Sequence, residues 1–348
     1  MSETMRAVYA SAIDRVETVD SEIPQPGPGE ARLRTVLAGI CGSDTHAVAG
    51  HHGLLRPPYY PGHEAVCVVD SLGPDVAGPP PGTRVILKPN VTCGECVNCR
   101  ADRSNACETL QWIGCDTSGR LRGAMAEYLL APVGNLFPVP GEVTDAQAVL
   151  VECLATPVHA ARIAGDLAGA RVLVIGGGTI GFFSLLAARR AGAGTVVLSD
   201  LDAAKRDRAS RHGADAVVDP AAEDVAASVR EACGGPVDVV FDCVTNEASM
   251  RTAVAAVRHS GTVLVVGVPS GDVTVPLALI QDWELRVQGC ANYTGADIET
   301  AIEIARAGGL PAQEVVSASF GLDEAAQAFA QAASFASGKV VLHPAETR

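Results

Sequence analysis

Apolar and polar positions change their rhythm near residue 155. Before it, short β-prone runs at 31–38, 65–69 and 84–87 stand between turn clusters such as Pro24-Gln-Pro-Gly-Pro-Gly-Glu30, Gly73-Pro74 and Gly78-Pro-Pro-Pro-Gly82. That alternation predicts a mostly β domain with long loops, the usual carriers of function. After it, nearly unbroken apolar runs at 171–175, 195–198, 216–218, 237–243 and 261–268 alternate with Ala-rich helical stretches at 179–191, 203–212, 225–233 and 247–258. Strands without polar alternation, separated by helices, suit a parallel sheet covered on both faces. A strand at 285–289, helices at 296–307 and 323–334 and a last strand at 339–343 complete the pattern. The expected fold class is therefore α/β, a mostly-β domain joined to a doubly wound parallel-sheet domain. The sheet domain is expected over 155–290, and the β domain over 1–154 with 291–348 returning to it. No internal repeat or low-complexity linker interrupts this order.

Composition narrows the function classes. The 348 residues carry 26 Lys plus Arg against 40 Asp plus Glu, a formal net charge of −14. Such acidity argues against affinity for nucleic acid or for anionic lipid, both of which need clustered cations. Apolar residues at 48% and charged residues at 19% supply a packed core. The longest apolar stretch, 263–269, is far short of the ~20 residues of a membrane span, and residues 1–20 lack a signal-peptide core. The chain reads as a soluble, cytoplasmic protein with no nucleic-acid or membrane partner. Of its eleven cysteines, Cys93, Cys96, Cys99 and Cys107 crowd into one segment. In a cytosolic chain that clustering reads as metal ligation before disulfide pairing.

Gly176-Gly177-Gly178-Thr179-Ile180-Gly181 follows an apolar strand and opens a helix, and Asp200 closes the next strand. In that setting the G-x-G-x-x-G pattern points to a dinucleotide. Gly176 permits the tight turn, Gly178 lets backbone amides approach a pyrophosphate, and Gly181 lets the helix pack closely. The amides of the first helical turn, at Thr179 and Ile180, face the phosphate. Asp200 would accept from the ribose hydroxyls and repel a 2′-phosphate, favouring NAD over NADP. Lys205 and Arg206 nearby keep NADP as the second reading.

Two sets of metal-ligating residues stand out. Cys93-x2-Cys96-x2-Cys99-x7-Cys107 offers four thiolates from one loop, a closed structural zinc site. The second set is dispersed: Cys41-Gly42-Ser43-Asp44-Thr45-His46, then Gly62-His63-Glu64, then Val151-Glu152-Cys153. Taken singly, each reads as easily as solvated or core-satisfied polar residues. Together they match a catalytic zinc, which takes three ligands from Cys, His and carboxylate and keeps one position open.

With these motifs in this order, the chain resembles the zinc-containing medium-chain dehydrogenases of the alcohol, polyol and threonine dehydrogenase kind. The resemblance covers nearly the whole length. It also draws on Gly267-Val-Pro269. It implies a GroES-like catalytic domain around a Rossmann domain, with zinc and NAD as cofactors and a small-molecule alcohol or ketone as substrate. It implies that Cys41, His63 and Glu152 bind a catalytic zinc, and that Glu64 stands close by, swinging onto the metal in some members. Ser43 then takes the substrate proton, His46 ends the relay to solvent, and Asp44 steadies a ligand or relay group. Thr156, Val266 and Val268 would line the nicotinamide pocket, and the subunits would pair as a homodimer or homotetramer through sheet edges. Two positions depart from the polyol pattern. Cys153 replaces a proline beside Glu152, offering a second third ligand, and Asn292 replaces an arginine found near sorbitol.

Other residues have blander readings. His51 and His52 suit a solvated loop. Tyr59, Tyr60, Trp112 and Tyr293 suit either the substrate pocket or the core. Cys67, Cys115, Cys233, Cys243 and Cys290 read as small buried hydrophobes. The competing functional readings are a zinc-free reductase of the quinone oxidoreductase type and a non-catalytic NAD- and zinc-binding protein. The two metal sets speak against the first, and the Ser43 and His46 relay against the second.

Overall fold

The computed structural model describes residues 3–53, 55–221, 224–334 and 338–344. Its contacts divide the chain into two compact units, Met1–Glu152 with Thr294–Arg348, and Cys153–Tyr293.

In the second unit the apolar runs form one parallel sheet. Its spatial order is Ala216–Val218, Thr195–Ser199, Arg171–Ile175, Val237–Asp242, Val257–Val265, Arg286–Gly289. In chain order that is 3-2-1-4-5-6, the doubly wound arrangement whose order reverses between the first and fourth strands. Burial explains the lack of polar alternation. Val172, Leu173, Val174, Val196, Val197 and Leu198 are all fully buried, as expected of strands covered on both faces. Helices Thr179–Arg190, Ala203–Arg211, Val225–Ala232 and Glu247–Ala256 connect the strands. Side-chain caps fix where three of them start: Asp202 accepts from the Ala204 amide, Asp224 from Ala227, and Asn246 from Ser249.

The first unit is built on a mixed sheet. Its order is Val316–Gly321, Lys339–His343, Glu30–Gly39, Glu64–Leu72, Arg84–Leu87, Leu136–Pro138, with Tyr128–Pro132 also paired to Glu30–Gly39. The C-terminal strand thus lies inside this sheet, two places from the strand that begins at Glu64. A hairpin, Thr4–Ala12 with Arg15–Glu22, and a short ribbon, Asn90–Val91 with Gln111–Trp112, complete the β structure. Leu33, Ala38, Ala65, Cys67, Val85, Leu87, Leu129 and Leu342 form part of its core.

Three local readings differ from the structure. The strand expected at 261–268 begins earlier, at Val257, and ends at Val265. The hairpin at the N-terminus and the strand Val316–Gly321 were not foreseen. A helix, Val151–Ala164, runs through the expected domain border and carries Pro157 inside it. Proline reads as a helix breaker, which hides this helix from a periodicity scan.

Candidate metal centres and dinucleotide turn

The four-cysteine loop has the geometry of a closed tetrathiolate site. The sulfurs of Cys93, Cys96, Cys99 and Cys107 all lie within 4.8 Å of one another. Cys93 Sγ is 3.9 Å from Cys99 Sγ and 3.5 Å from Cys107 Sγ. A tetrahedron with Zn–S bonds of ~2.3 Å has edges of about 3.8 Å, so the sulfurs already stand at zinc spacing. Backbone amides donate to these sulfurs: Cys93 N to Cys107 Sγ at 3.4 Å, Cys96 N to Cys93 Sγ at 3.3 Å and Cys99 N to Cys96 Sγ at 3.4 Å. The amides of Glu95 and Cys96 pull the Cys93 thiol down to about 6, which favours the thiolate that zinc requires. The donor set fits a structural zinc.

The dispersed set also converges. Cys41 Sγ, a His63 ring nitrogen and a Glu64 carboxylate oxygen lie within 4.8 Å of one another, and Glu152 offers a carboxylate oxygen within the same distance of Glu64. Cys41 is the N-cap of helix Gly42–Val48, and Glu64 opens the strand Glu64–Leu72. His63, Glu64 and Glu152 are buried at 4%, 1% and 6% exposure. Buried donors of these types, thiol, imidazole and carboxylate, are those that a zinc ion takes. The arrangement fits a catalytic zinc.

The groups behind these donors orient them. Asp44, fully buried, has Oδ2 3.7 Å from His63 Nδ1 and accepts from the Cys41 amide at 3.2 Å. Burial pushes the Asp44 carboxyl up, with His63 opposing. Burial also opposes charging of His63, but Asp44, Cys115 and Cys41 outweigh it and raise His63 well above its ordinary range. Asp44 and Cys115 both face Nδ1 of the His63 ring, so the nitrogen left for a metal would be Nε2. Cys115 extends the sequence reading. It packs against the core as expected, but it is only half-buried and its sulfur is 3.7 Å from His63 Nδ1, so it also borders this set. The Trp112 ring stands edge-on to His63 with centroids 6.0 Å apart. The Tyr59 hydroxyl is buried beside Asp44. Neither Cys115 nor Tyr59 sits in a spacing pattern that a sequence could reveal.

Ser43 and His46 are three apart on helix Gly42–Val48, hence on one face. Ser43 is half-buried and His46 exposed, the inner and outer ends that a relay needs. The His46 carbonyl accepts from the amides of His51 and His52 at 2.8 and 3.1 Å. His52 Nδ1 accepts from the Leu55 amide at 2.9 Å, a turn-forming role.

Glu64 has the strongest partner of all. Lys339 Nζ donates to both Glu64 oxygens at 2.7 Å and to the Ile40 carbonyl at 3.3 Å, with both side chains buried. Sequence reasoning missed this lysine, because a single Lys opening an apolar strand carries no motif.

In the second unit the glycines divide by physical cause. Gly176 has φ +93°, and a Cβ there would meet Val244 Cγ2 at 2.8 Å. A Cβ at Gly181 would strike the Gly176 carbonyl at 1.7 Å, so that glycine serves helix packing. At Gly178 a Cβ would meet nothing within 4 Å. Among the described residues no neighbour demands a glycine there, and it lies exposed at the N-cap of helix Thr179–Arg190. The space that a Cβ would fill is open to a ligand, which fits a dinucleotide phosphate.

Asp200 Oδ2 accepts from the Gly177 amide at 2.6 Å and Oδ1 from the Asp202 amide at 2.8 Å. Arg206 is spoken for: it donates to the Asp200 and Leu201 carbonyls and pairs with Asp219 at 3.0 Å. Lys205 is half-buried beside Gly177. Val268 is 85% exposed, whereas Val266 is buried, so the two valines face different surroundings. Thr156 lies on helix Val151–Ala164, its carbonyl 3.8 Å from Cys290 Sγ. Of the other aromatics, Tyr293 is fully buried.

Comparison with known proteins finds two matching family models. Residues 27–141 match the family model described as alcohol dehydrogenase GroES-like domain, and residues 179–307 match that described as zinc-binding dehydrogenase. Among curated proteins, L-threonine 3-dehydrogenase of Deinococcus deserti is 32% identical over 93% of this chain and 94% of its own length. L-galactonate-5-dehydrogenase of Escherichia coli K12 is 34% identical over 79% of this chain and 80% of its own. Among solved structures, a chain described as a zinc-binding dehydrogenase from Sinorhizobium meliloti 1021, bound to NADP, superposes with a TM-score of 0.91 at 32% identity. That match covers 99% of this chain and all of the other.

Proposed function

Because the chain belongs to the zinc-dependent medium-chain dehydrogenase family, we propose that it moves a hydride between NAD and the CH–OH carbon of a small-molecule alcohol, using two zinc sites. The observation that carries this reading is the meeting of Cys41, His63 and Glu64 within 4.8 Å of one another, with Glu152 within the same distance of Glu64. Cys41, His63 and Glu152 would hold the catalytic zinc, and Cys93, Cys96, Cys99 and Cys107 the structural one. When bound, the catalytic zinc supplies a Lewis acid that makes the substrate hydroxyl acidic enough to lose its proton near neutral pH. When bound, NAD supplies the hydride acceptor. The chain's own residues do the rest. Ser43 accepts the hydroxyl proton and His46, in solvent, hands it to water. Asp44, facing His63 Nδ1, steadies the ring so that its other nitrogen would be free for the ion.

The named substrates of the two curated relatives, a hydroxy amino acid and a sugar acid, support a substrate with polar groups around the reacting hydroxyl. Asp200 supports NAD over NADP, since its carboxylate meets a 2′-phosphate with like charge and Arg206 is engaged elsewhere. Asp200→Ser keeps an acceptor for the Gly177 amide and removes the repulsion. The expected shift in NADP over NAD preference is about one to two orders of magnitude in kcat/KM. An unchanged ratio would remove Asp200 as the selector.

Among the described residues, no helix is long and apolar enough to cross a membrane. The acidic surface and the clustered thiols support a cytoplasmic enzyme. Strand Arg286–Gly289 is the edge of its sheet, and Val287, Leu277, Leu279 and Val268 are exposed in the same unit. An open edge with apolar neighbours supports pairing of two copies there. The deciding experiment combines metal analysis with an alcohol panel read by reduced-cofactor absorbance. Two zinc ions per chain and NAD-dependent oxidation of at least one alcohol are expected. A chain with one zinc and no turnover would refute the reading.

A further inference from the structure

Gly177 and Gly178 share one peptide plane, and neither carries a Cβ that would bias which way the plane faces. Turning that plane over exchanges the Gly177 carbonyl with the Gly178 N–H, and so presents an oxygen where an anion needs a donor. The plane before it is already fixed, because the Gly177 N–H donates to Asp200 Oδ2 at 2.6 Å. The plane after it is held by a different residue. Arg208 Nη2 donates to the Gly177 carbonyl at 2.8 Å.

We propose that Arg208 is a positioning residue that fixes the Gly177–Gly178 peptide, so that the Gly178 N–H is turned outward as a donor for a dinucleotide phosphate. The inference rests on the dinucleotide reading of this turn given above. Among the described residues the one cis peptide is Pro57-Pro58, so the 177–178 peptide is trans and its C=O and N–H point in opposite directions. A carbonyl turned toward Arg208 therefore turns the Gly178 N–H away from it. Among the described residues that N–H meets no backbone acceptor. Gly177 is buried and Gly178 exposed, at the N-cap of helix Thr179–Arg190, where the helix dipole favours an anion. Arg208 is itself held in place. It is half-buried on helix Ala203–Arg211, with Cζ 4.6 Å from the centroid of the Phe182 ring. Phe182 is fully buried on helix Thr179–Arg190, and His212 stands edge-on to it with centroids 5.4 Å apart. A planar guanidinium laid over a fixed ring keeps its donors aimed in one direction. One end of Arg208 thus grips the helix that the turn opens, and the other end grips the turn.

The test is equilibrium binding to the full chain, read by NADH fluorescence, with ADP-ribose and adenosine as competitors. Arg208→Met keeps an apolar stem over Phe182 and has no donor for the carbonyl. Its Kd for NADH and ADP-ribose is expected to rise about fivefold or more, the inverse of the fraction of turns left in the competent orientation. Adenosine, which has no phosphate, keeps its affinity within about twofold. A general loosening of the unit would weaken all three. Gly178→Ala supplies the second arm. Gly178 has φ −60°, a value that alanine adopts, and a Cβ there meets no protein atom within 4 Å but fills the ligand's space. If Arg208 acts through the Gly178 N–H, the double variant binds NADH no more than about twofold worse than the weaker single one. Losses that multiply in the double variant would mean that Arg208 acts on the phosphate by itself, and they overturn the proposal. So does wild-type ADP-ribose affinity in Arg208→Met, or in Arg208→Gln should the Met variant not fold. A wild-type chain that binds neither NADH nor ADP-ribose defeats the dinucleotide site itself, a different and separable result.

Discussion

His63→Ala is expected to lower turnover by roughly 10³-fold or more, to halve the zinc content from two ions per chain to one, and to leave NAD affinity within a factor of about two. A Lewis acid contributes several kcal/mol to the transition state, and each ~1.4 kcal/mol is a factor of ten. Alanine removes an expected ligand and also the imidazole that faces Asp44, which is fully buried and would keep only the Cys41 amide and the more distant Lys339 in support of its charge. Cys41 and Glu152 alone are two donors, too few to retain zinc against dilution. The Gly-rich turn and Asp200 lie in the other unit and keep their hydrogen bonds. Ser43→Ala is the informative contrast. It spares every ligand, so it keeps two zinc ions and loses only the proton acceptor, on the order of 10²–10⁴-fold. Metal analysis, cofactor fluorescence titration and steady-state kinetics on the two variants separate the roles. Two zinc ions and undiminished turnover in His63→Ala would take the imidazole out of the metal site.

The contrast between what the sequence disclosed and what it hid has a physical origin. Strands Arg171–Ile175 and Lys339–His343 were legible to the residue because strands buried on both faces are nearly pure apolar runs. The N-terminal hairpin was not, since one strand is only partly buried and the other, Arg15–Glu22, is mostly polar with no fully buried residue. Helix Val151–Ala164 was masked by Pro157 and by an apolar composition without an exposed stripe. The candidate site divides in the same way. Cys93, Cys96, Cys99 and Cys107 announce themselves by spacing, and Gly176 to Gly181 by context. Cys41, His63 and Glu152 share no spacing pattern: Cys41 nears His63 and Glu64 where strands Glu30–Gly39 and Glu64–Leu72 pair, and Glu152 nears Glu64 from helix Val151–Ala164. Lys339, Cys115 and Tyr59 carry no pattern at all. Each reaches His63, Asp44 or Glu64 through the tertiary fold, and only coordinates bring them together.

The structural zinc loop is expected to respond differently to loss of a ligand. In Cys107→Ser the protein should bind one zinc per chain, keep a folded second unit, and become open to proteolysis between residues 92 and 110. Cys107 is the ligand that returns from the far side of the loop. The other three lie on a tight turn around helix Val97–Arg100, and Cys107 Sγ accepts the Cys93 amide that fastens the two ends. Serine offers a weaker ligand that stays protonated, and the remaining three thiolates then repel one another with no closed shell to hold them. Structural zinc in small domains contributes on the order of 10 kcal/mol of folding energy. Here the loss is confined, because the base of the loop is tied down without the metal. Asn135 Nδ2 donates to the carbonyls of Lys88 and Asn90 at 2.6 and 2.8 Å, and Lys88 Nζ donates to Asn90 O at 3.0 Å. The ribbon that leaves this base carries Trp112 against His63, so loosening of the loop reaches the catalytic set through that ring. Turnover is therefore expected to fall by about tenfold, far less than in His63→Ala, while the melting temperature drops by several degrees (~1–2 kcal/mol of net loss in a domain of this size). Limited proteolysis, zinc content and thermal melting test the set together. A Cys107→Ser protein that keeps two zinc ions and resists protease within the loop would show that Cys107 is not a ligand.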